Sequence, residues 1–537
     1  MTTGIAAPGS ASRAAAAGTP GADRVLAIDV GTQSVRALLF DPAGNLVASS
    51  RIPIEPYVSS RPGWAENDPA IYWDAMGTAC QRLWAEPAAD PSSVAGLALT
   101  AQRATVVVSD EDGNPLRPAI VWLDQRRTEG LRPLGGTWGL AFRVLGVSDT
   151  VAAFQADAEA NWIKANEPEV WGAIRRYGLL SAWLVSRLTG RFADSAASQV
   201  GYLPFDFKRS TWASKRDWKW QVAPFDRTWL PELIQPTGRL GELTTEAAAA
   251  LGLPRGLPVI AAAGDKQCEA LGSGALPPNI AALSFGSTAT IATTQRRYVE
   301  AIPLVPAFPA AFPGAWSTEL QVQRGYWMVE WFKRQFGAAE VAEAAAGGFA
   351  AEALFDHLVE EAGPGSGGLV VQPYWSPGVR KPGPEAKGAI IGFGDVHTRA
   401  HVYRAILEGL AYALREGGEH IAKRTKVPIT ELRVSGGGAQ SRAAVQLTAD
   451  VFGLPAIVPH THETSGLGAA IVGMVGLGIH SSVDDAVAAM TRVGRVHEPA
   501  PSTRALYDDL YNGVYRRMYP RLRPLYGEIR RILARPR

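Results

Sequence analysis

Cysteine is almost missing from this chain. Cys80 and Cys268 are the only two in 537 residues, far apart and in no metal-ligand spacing. That excludes a disulfide-stapled scaffold and suits a reducing cytoplasm, the expected location. An excess of charge is missing too: 53 basic side chains face 51 acidic ones, for a formal net charge of +2. Nothing in that balance argues for nucleic acid or an anionic membrane as a partner. No uninterrupted apolar run reaches the roughly 18 residues of a spanning helix, so none is expected. The first 22 residues are rich in Ala, Gly, Ser and Pro, with one Arg and no acid. They lack the apolar core of a secretory signal, and 1–23 reads as a disordered tail.

The common nucleotide and metal signatures are also absent. There is no G-x-x-x-x-G-K-[ST] loop. A formal G-x-G-x-x-G spans Gly363 to Gly368, but it leads into the strand-like LVVQPYW rather than opening a helix, so it reads as a linker. His397 and His401 lie four apart without the glutamate of a zinc-protease helix. His460 and His462 read as a surface loop.

What is present is a long chain of ordinary globular composition, 47% hydrophobic and 19% charged. It exceeds the roughly 300 residues at which one core stops growing, so two domains are expected, 24–275 and 276–500, followed by a C-terminal helix at 501–537. From Arg24 to Ile54 three apolar runs separated by turns predict a β-meander. A helix over 68–87, a strand over 94–100, a hairpin across DEDGN and a strand ending at Trp122 follow. Helical segments are expected over 150–190, an irregular Trp- and Pro-rich insert over 204–236, and a strand over 258–263. After residue 280 the style repeats: strands flank FGST, a long amphipathic helix covers 399–424, and ELRVSGGGAQSRAAVQLTADVFGLPAIVP reads strand, glycine turn, helix, strand. Leu506, Leu510, Val514, Met518 and Leu522 recur at helical spacing beside many tyrosines. The fold class is α/β with mixed sheets, in two similar halves with a cleft between them. The basic C-terminus reads as a solvated helix face or, alternatively, a contact in a homo-oligomer such as a dimer.

Three glycine turns carry chemistry. AIDVGTQS and LSFGSTAT each run from strand to glycine to hydroxyl residues, whose N–H and O–H groups can converge on phosphate oxygens. VSGGGAQS places three glycines between strand and helix, where backbone must approach something closely. Together they supply phosphate and nucleoside contacts from both halves. Asp265, directly after an apolar strand, is costly to desolvate without a role. Capping a helix that begins near Gln267, holding a metal and accepting a proton are all open to it.

These residues make the chain resemble the FGGY carbohydrate kinases, within the actin-like, ribonuclease-H-like ATPase superfamily. The resemblance runs from about 24 to 480 and includes GWAENDPAIYW, AQRATVVVSDEDGNPLRPAIVWLDQRR, AAGDKQ and HTHETSGLGAA besides the turns. It implies two domains of that duplicated fold, with ATP and a small sugar, polyol or sugar acid meeting in the cleft. Asp29 matches the acid that holds Mg²⁺, usually through water. Gly31, Thr32, Gln33, Ser34 and Arg36 match the first phosphate loop. Gly286, Ser287 and Thr288 match the second, and Gly437, Gly438, Ala439 and Gln440 the adenosine side. Asp265 matches the catalytic base, in keeping with phosphoryl transfer needing an acceptor for the hydroxyl proton. A non-catalytic nucleotide switch or sugar sensor of the same superfamily is the competing reading.

The substrate signal lies in AQRAT. Glycerol kinases of the family carry Arg then Glu here, and xylulokinases tend to carry Met-His. This chain keeps Gln102 and Arg103 but has Ala104, losing the acceptor, so both substrates are disfavoured. Lys266 stands where relatives commonly have Gln or Asn; it either contacts substrate or faces solvent. Trp64 is a candidate for stacking on a sugar face. Pro373, Gly378 and Arg380 match a further family pattern only loosely.

Overall fold

The computed structural model describes residues 22–533 except 348–350, 377 and 379–381, together with all but the side chains of 352 and 353. Apart from Ala22 and Asp23 the expected tail lies outside the described residues, as does Arg380.

The first half is organised by an apolar strand. β1 (Arg24–Val30) has Val25, Leu26, Ala27, Ile28 and Val30 all fully buried. That near-continuous apolar run suits a strand covered on both faces. It pairs antiparallel with β2 (Ser34–Phe40), which pairs with β3 (Leu46–Pro53), giving the expected meander. On its other side β1 runs parallel to β4 (Val94–Ala101). Beyond β4 lie β5 (Arg239–Glu242) and β6 (Pro258–Gly264), in the spatial order β5-β6-β4-β1-β2-β3. β6 runs directly into α1 (Asp265–Gly272).

The second half repeats the plan. β7 (Ile280–Phe285) pairs antiparallel with β8 (Ala289–Gln295), which pairs with β10 (Trp316–Val322), edged in turn by β9 (Phe308–Pro309). After the long helix α2 (Arg399–Thr425), β11 (Glu431–Ser435) runs parallel to β7. Then come α3 (Arg442–Phe452), β12 (Ala456–Pro459), α4 (Thr464–Gly476), α5 (Val483–Met490) and β13 (Val493–His497). The order β9-β10-β8-β7-β11-β12-β13 reproduces the first sheet, with the same antiparallel meander and the same two parallel neighbours. The duplication inferred from sequence is therefore a repeat of strand topology.

The two halves are interlocked. α4, from the second half, covers a face of the first sheet, burying Leu467, Ile471 and Met474 against Val25, Ala98 and Ile260. It also crosses α1 at glycines. A Cβ on Gly272 would sit 2.0 Å from the Thr464 carbonyl oxygen, and one on Gly468 would sit 1.9 Å from that of Cys268. Only hydrogen fits at that crossing, which sets the end of α1 against the start of α4.

Two expectations are corrected. The 150–190 run is not purely helical: helices end at Asp157, Asn166 and Ala173, and Arg176–Leu179 is a strand paired with Val106–Ser109. Pro168, which cannot donate within a helix, opens the third of these segments. In the C-terminal helix the buried stripe is Tyr507, Tyr511, Tyr515 and Met518, and Leu506 is exposed. The tyrosines pack on Tyr412 of α2. Among the described residues no helix is long and apolar enough to cross a membrane.

Candidate active site

The chemistry-bearing residues lie at the carboxyl ends of the central parallel strands or in the hairpins leaving them, where open α/β sheets gather ligands. Asp29 is near the end of β1 and almost fully buried. Arg36, opposite it on β2, reaches Asp29 Oδ2 at 3.2 Å and Glu463 Oε2 at 3.1 Å. Burial pushes the Asp29 carboxyl up to about 7; Arg36 opposes this, while Asp265, Glu463 and Glu269 add to it. Glu463, just before α4, was missed by sequence reasoning because its partner lies 427 residues earlier.

In the first glycine hairpin Gly31 N–H donates to the Ser34 carbonyl at 3.0 Å. The Thr32 hydroxyl donates to Gln102 Oε1 at 3.2 Å and accepts from Trp122 Nε1 at 2.9 Å. Its proton is thus committed, so what Thr32 can offer a phosphate is its backbone N–H. Gln33 is exposed and Ser34 buried. Gln102 is 3% exposed. Its Oε1 braces Thr32, and its Nε2 has no hydrogen-bond partner among the described residues.

Arg103 supplies a larger correction. Ala104 does leave the adjacent position without an acceptor, and it sits at φ 56. Yet Arg103 is paired: its guanidinium donates to Glu319 Oε1 at 2.8 Å and Oε2 at 3.2 Å. Glu319 is on β10 of the second half, with a side chain only 2% exposed. Glu319 thus gives Arg103 a carboxylate partner from the second half, where position 104 offers none. Arg103 also lies over the Phe308 ring and 3.8 Å from Asp265 Oδ1.

Asp265 opens α1. The helix begins at Asp265 itself, with Gly264 as its N-cap, and no side chain caps it. The capping expectation fails because the chain turns helical two residues early, and the carboxylate instead accepts from the N–H of Lys266 at 2.8 Å. Burial raises the Asp265 carboxyl above its usual range, against the pull of Lys266 and Arg103.

Lys266 is neither solvated nor turned towards Arg103. Its Nζ donates to Glu269 Oε2 at 2.8 Å and to Ser284 Oγ at 2.6 Å, on the side of the second glycine turn. Gly286, Ser287 and Thr288 of that turn are half-buried. In the third, Gly436 adopts φ 86, and a Cβ on Gly438 would lie 2.6 Å from the Tyr326 ring. Tyr326 itself stacks on Phe285. Gly437 is open, Gln440 is exposed, and Ala439 has its methyl in the core, leaving only its backbone to a nucleotide. Trp64 is engaged elsewhere: Arg126 and Arg61 lie over its ring at 4.0 and 4.9 Å, and Trp162 meets it edge-on. The ring itself remains half-buried.

Among the described residues no group of three or more His, Cys, Asp or Glu side chains forms a metal cage. The donor set suits a hard divalent cation of the Mg²⁺ type, which binds through one or two carboxylates with water and phosphate oxygens completing its shell. Among the described ion pairs Asp29 and Glu463 meet Arg36, Asp265 and Glu319 meet Arg103, and Glu269 meets Lys266, five carboxylates to three cations, an excess of negative charge that a cation relieves.

Residues 24–272 match the N-terminal domain of the FGGY family of carbohydrate kinases, and 281–477 match its C-terminal domain. The glycerol kinase of Ralstonia nicotianae is 30% identical over 499 residues, 89% of this chain and 94% of that protein. This chain belongs to the FGGY family. The xylulose kinase of Lactococcus lactis is 28% identical over 508 residues, covering 92% of this chain and 96% of that one. Among solved structures, the xylulose kinase from Rhodospirillum rubrum superposes with a TM-score of 0.75 at 27% identity, covering 94% of this chain and all of that one. The protein is a carbohydrate kinase of the actin-like ATPase fold, with ATP as phosphate donor. That sets aside the non-catalytic switch. In this FGGY kinase Lys266, next to Asp265, lies against the second glycine turn, Gly436 of the third packs on Phe285 ahead of that turn, and Asp265 is close enough to Asp29 to raise its carboxyl.

Proposed function

We propose that this kinase phosphorylates a hydroxyl of a small, neutral sugar or polyol, with Asp265 as general base. The observation that carries the reading is the placement of Asp265. It stands at the start of α1, 3.8 Å from Arg103, and the residue after it, Lys266, reaches Ser284 ahead of the second glycine turn. Neutral substrates are favoured over sugar acids because Arg103, the cation beside Asp265, is already paired with Glu319, while Lys266 Nζ is turned towards Ser284 and the second glycine turn.

The substrate hydroxyl lies within reach of Asp265, oriented by Arg103 and Glu319. Its oxygen attacks the γ-phosphorus in line, its proton passes to the Asp265 carboxylate, and the bond from phosphorus to the bridging oxygen of ADP breaks. Gly31 to Ser34 and Gly286 to Thr288 hold the phosphates, while Gly437 to Gln440 face the nucleoside. Asp29, with Arg36 beside it, would hold Mg²⁺, which when bound neutralises phosphate charge. Closure of the half built on 24–275 against that built on 276–500 excludes water from the γ-phosphate.

Asp265→Asn tests the assignment. Sugar-dependent ADP release, screened over polyols and ketoses, should fall by about two to four orders of magnitude. ADP affinity should stay at the wild-type value. Unchanged turnover in that variant would sink the base assignment.

A further inference from the structure

A half-buried lysine, its side chain 19% exposed, sits directly behind the second glycine turn and has no part in the proton transfer. Lys266 and Asp265 are consecutive at the start of α1, where neighbouring side chains leave the helix axis about 100° apart. Asp265 faces Arg103, while Lys266 Nζ lies against β7, bonded to Ser284 two residues before Gly286. A Cβ added at Gly286 would come 3.4 Å from that ammonium.

Burying an ammonium is expensive unless it is paired, and this one is paired with care. Glu269, one turn further along α1, has a side chain only 7% exposed and takes the lysine on Oε2. Its other oxygen, Oε1, accepts from Ser435 Oγ at 2.8 Å, at the end of β11. Burial disfavours the charged lysine, but Glu269 and Asp265 outweigh it and hold the proton on Nζ more tightly than usual. Glu269 thus ties the lysine to both strands that carry nucleotide turns, β7 ahead of FGST and β11 ahead of SGGG. An ammonium has three donors. Glu269 and Ser284 take two, which leaves one N–H for an oxygen arriving at the Gly286 turn.

We propose that Lys266 binds the transferring γ-phosphoryl group, and that Glu269 is the residue that positions it. This rests on the reading above that the phosphates of ATP lie at Gly286 to Thr288. The two consecutive side chains then divide the reaction. Asp265 takes the proton on the acceptor side, and Lys266 meets the charge on the phosphoryl oxygens as they move. A cation fixed in place before the reaction acts without reorganising. No atom is transferred to or from the lysine.

The test compares Mg²⁺-AMP-PNP with Mg²⁺-ADP by titration calorimetry on the full chain. The wild type should bind both. Lys266→Gln should weaken AMP-PNP by about ten- to a hundredfold, the loss of one charge-assisted hydrogen bond, with ADP affinity unchanged. It should lower kcat while the sugar KM stays within about twofold. Lys266→Arg keeps a donor cation and should retain most of the preference for AMP-PNP. It is also the arm that decides if the glutamine variant fails to fold. Glu269→Gln should reproduce the loss more weakly. Equal weakening of ADP and AMP-PNP in Lys266→Gln, or an arginine variant no better than the glutamine one, means that the pair only braces the strands and overturns the proposal. A wild type that binds neither nucleotide refutes the earlier reading instead, so the two failures are told apart.

Discussion

The Arg103–Glu319 pair offers the sharpest quantitative test of how the two halves meet. Arg103 comes from the first half and Glu319 from the second, joined by two hydrogen bonds of 2.8 and 3.2 Å. Their side chains are 14% and 2% exposed, so neither charge is well hydrated if its partner goes. Removing one member of such a pair costs about 3–5 kcal/mol. Glu319→Ala should fall at the lower end, about 3 kcal/mol, because Asp265 remains 3.8 Å from the orphaned guanidinium. Arg103→Met should fall at the upper end, since Glu319 has no other cation partner among the described ion pairs. The double variant replaces a buried pair by apolar groups and should lose about 2 kcal/mol or less. A thermal-unfolding cycle measures this. For a half of this size the Glu319→Ala loss corresponds to a fall of about 6–12 °C in Tm. The coupling energy should be about 6 kcal/mol, well above the roughly 0.5 kcal/mol scatter of independent sites. Additive single effects would refute the claim that Glu319 is the carboxylate partner of Arg103.

Stability should also depend on pH through Asp194, which is 1% exposed and accepts from Ser181, Gln199 and the Ser195 N–H. Burial pushes its carboxyl to about 7 from an ordinary 3.8, so between those values the folded state binds the extra proton. Its contribution is present below pH 3.8 and lost as pH rises through 7, a loss of about 4 kcal/mol. The Tm of Asp194→Asn relative to wild type should therefore climb from pH 5 to 8; parallel curves would contradict this. Ala104 adopts φ 56, a region costly for any residue with a Cβ. Ala104→Gly should raise stability in urea melts by up to about 1 kcal/mol, and a loss would mean the strain is not there. Gly438→Ala drives a methyl to 2.6 Å from the Tyr326 ring. Its overpacking, about 1–3 kcal/mol, should weaken ADP roughly tenfold or more, and unchanged affinity would remove that turn from the nucleotide site.

Local pattern made much of the fold legible. The apolar runs at 25–28, 35–40, 259–263 and 281–285 appear within central strands, the first two glycine turns as the hairpins that leave them, and the third as a strand-to-helix turn. Errors arose where one local rule hid a competing contact. Asp265 met the statistics of a helix cap, but its carboxylate was drawn to the Lys266 N–H. The 150–190 run read as helical throughout, but Arg176–Leu179 was drawn into a strand pairing with Val106–Ser109.

The sequence by itself determined the repeated strand-and-turn plan, the family and the identity of the acid after β6, because these depend on neighbours in the chain. Only the tertiary structure decided which charges meet. Glu319 lies 216 residues from Arg103, and Glu463 lies 427 from Arg36. No spacing rule joins residues so far apart; they are brought together by two sheets of one topology and by helices crossing at Gly272 and Gly468. The same packing turned Lys266 from an unplaced cation beside the base into one held behind the phosphate turn. Burial made that lysine seek a carboxylate, and Glu269, itself tied to Ser435 on a neighbouring strand, fixed the side to which it points.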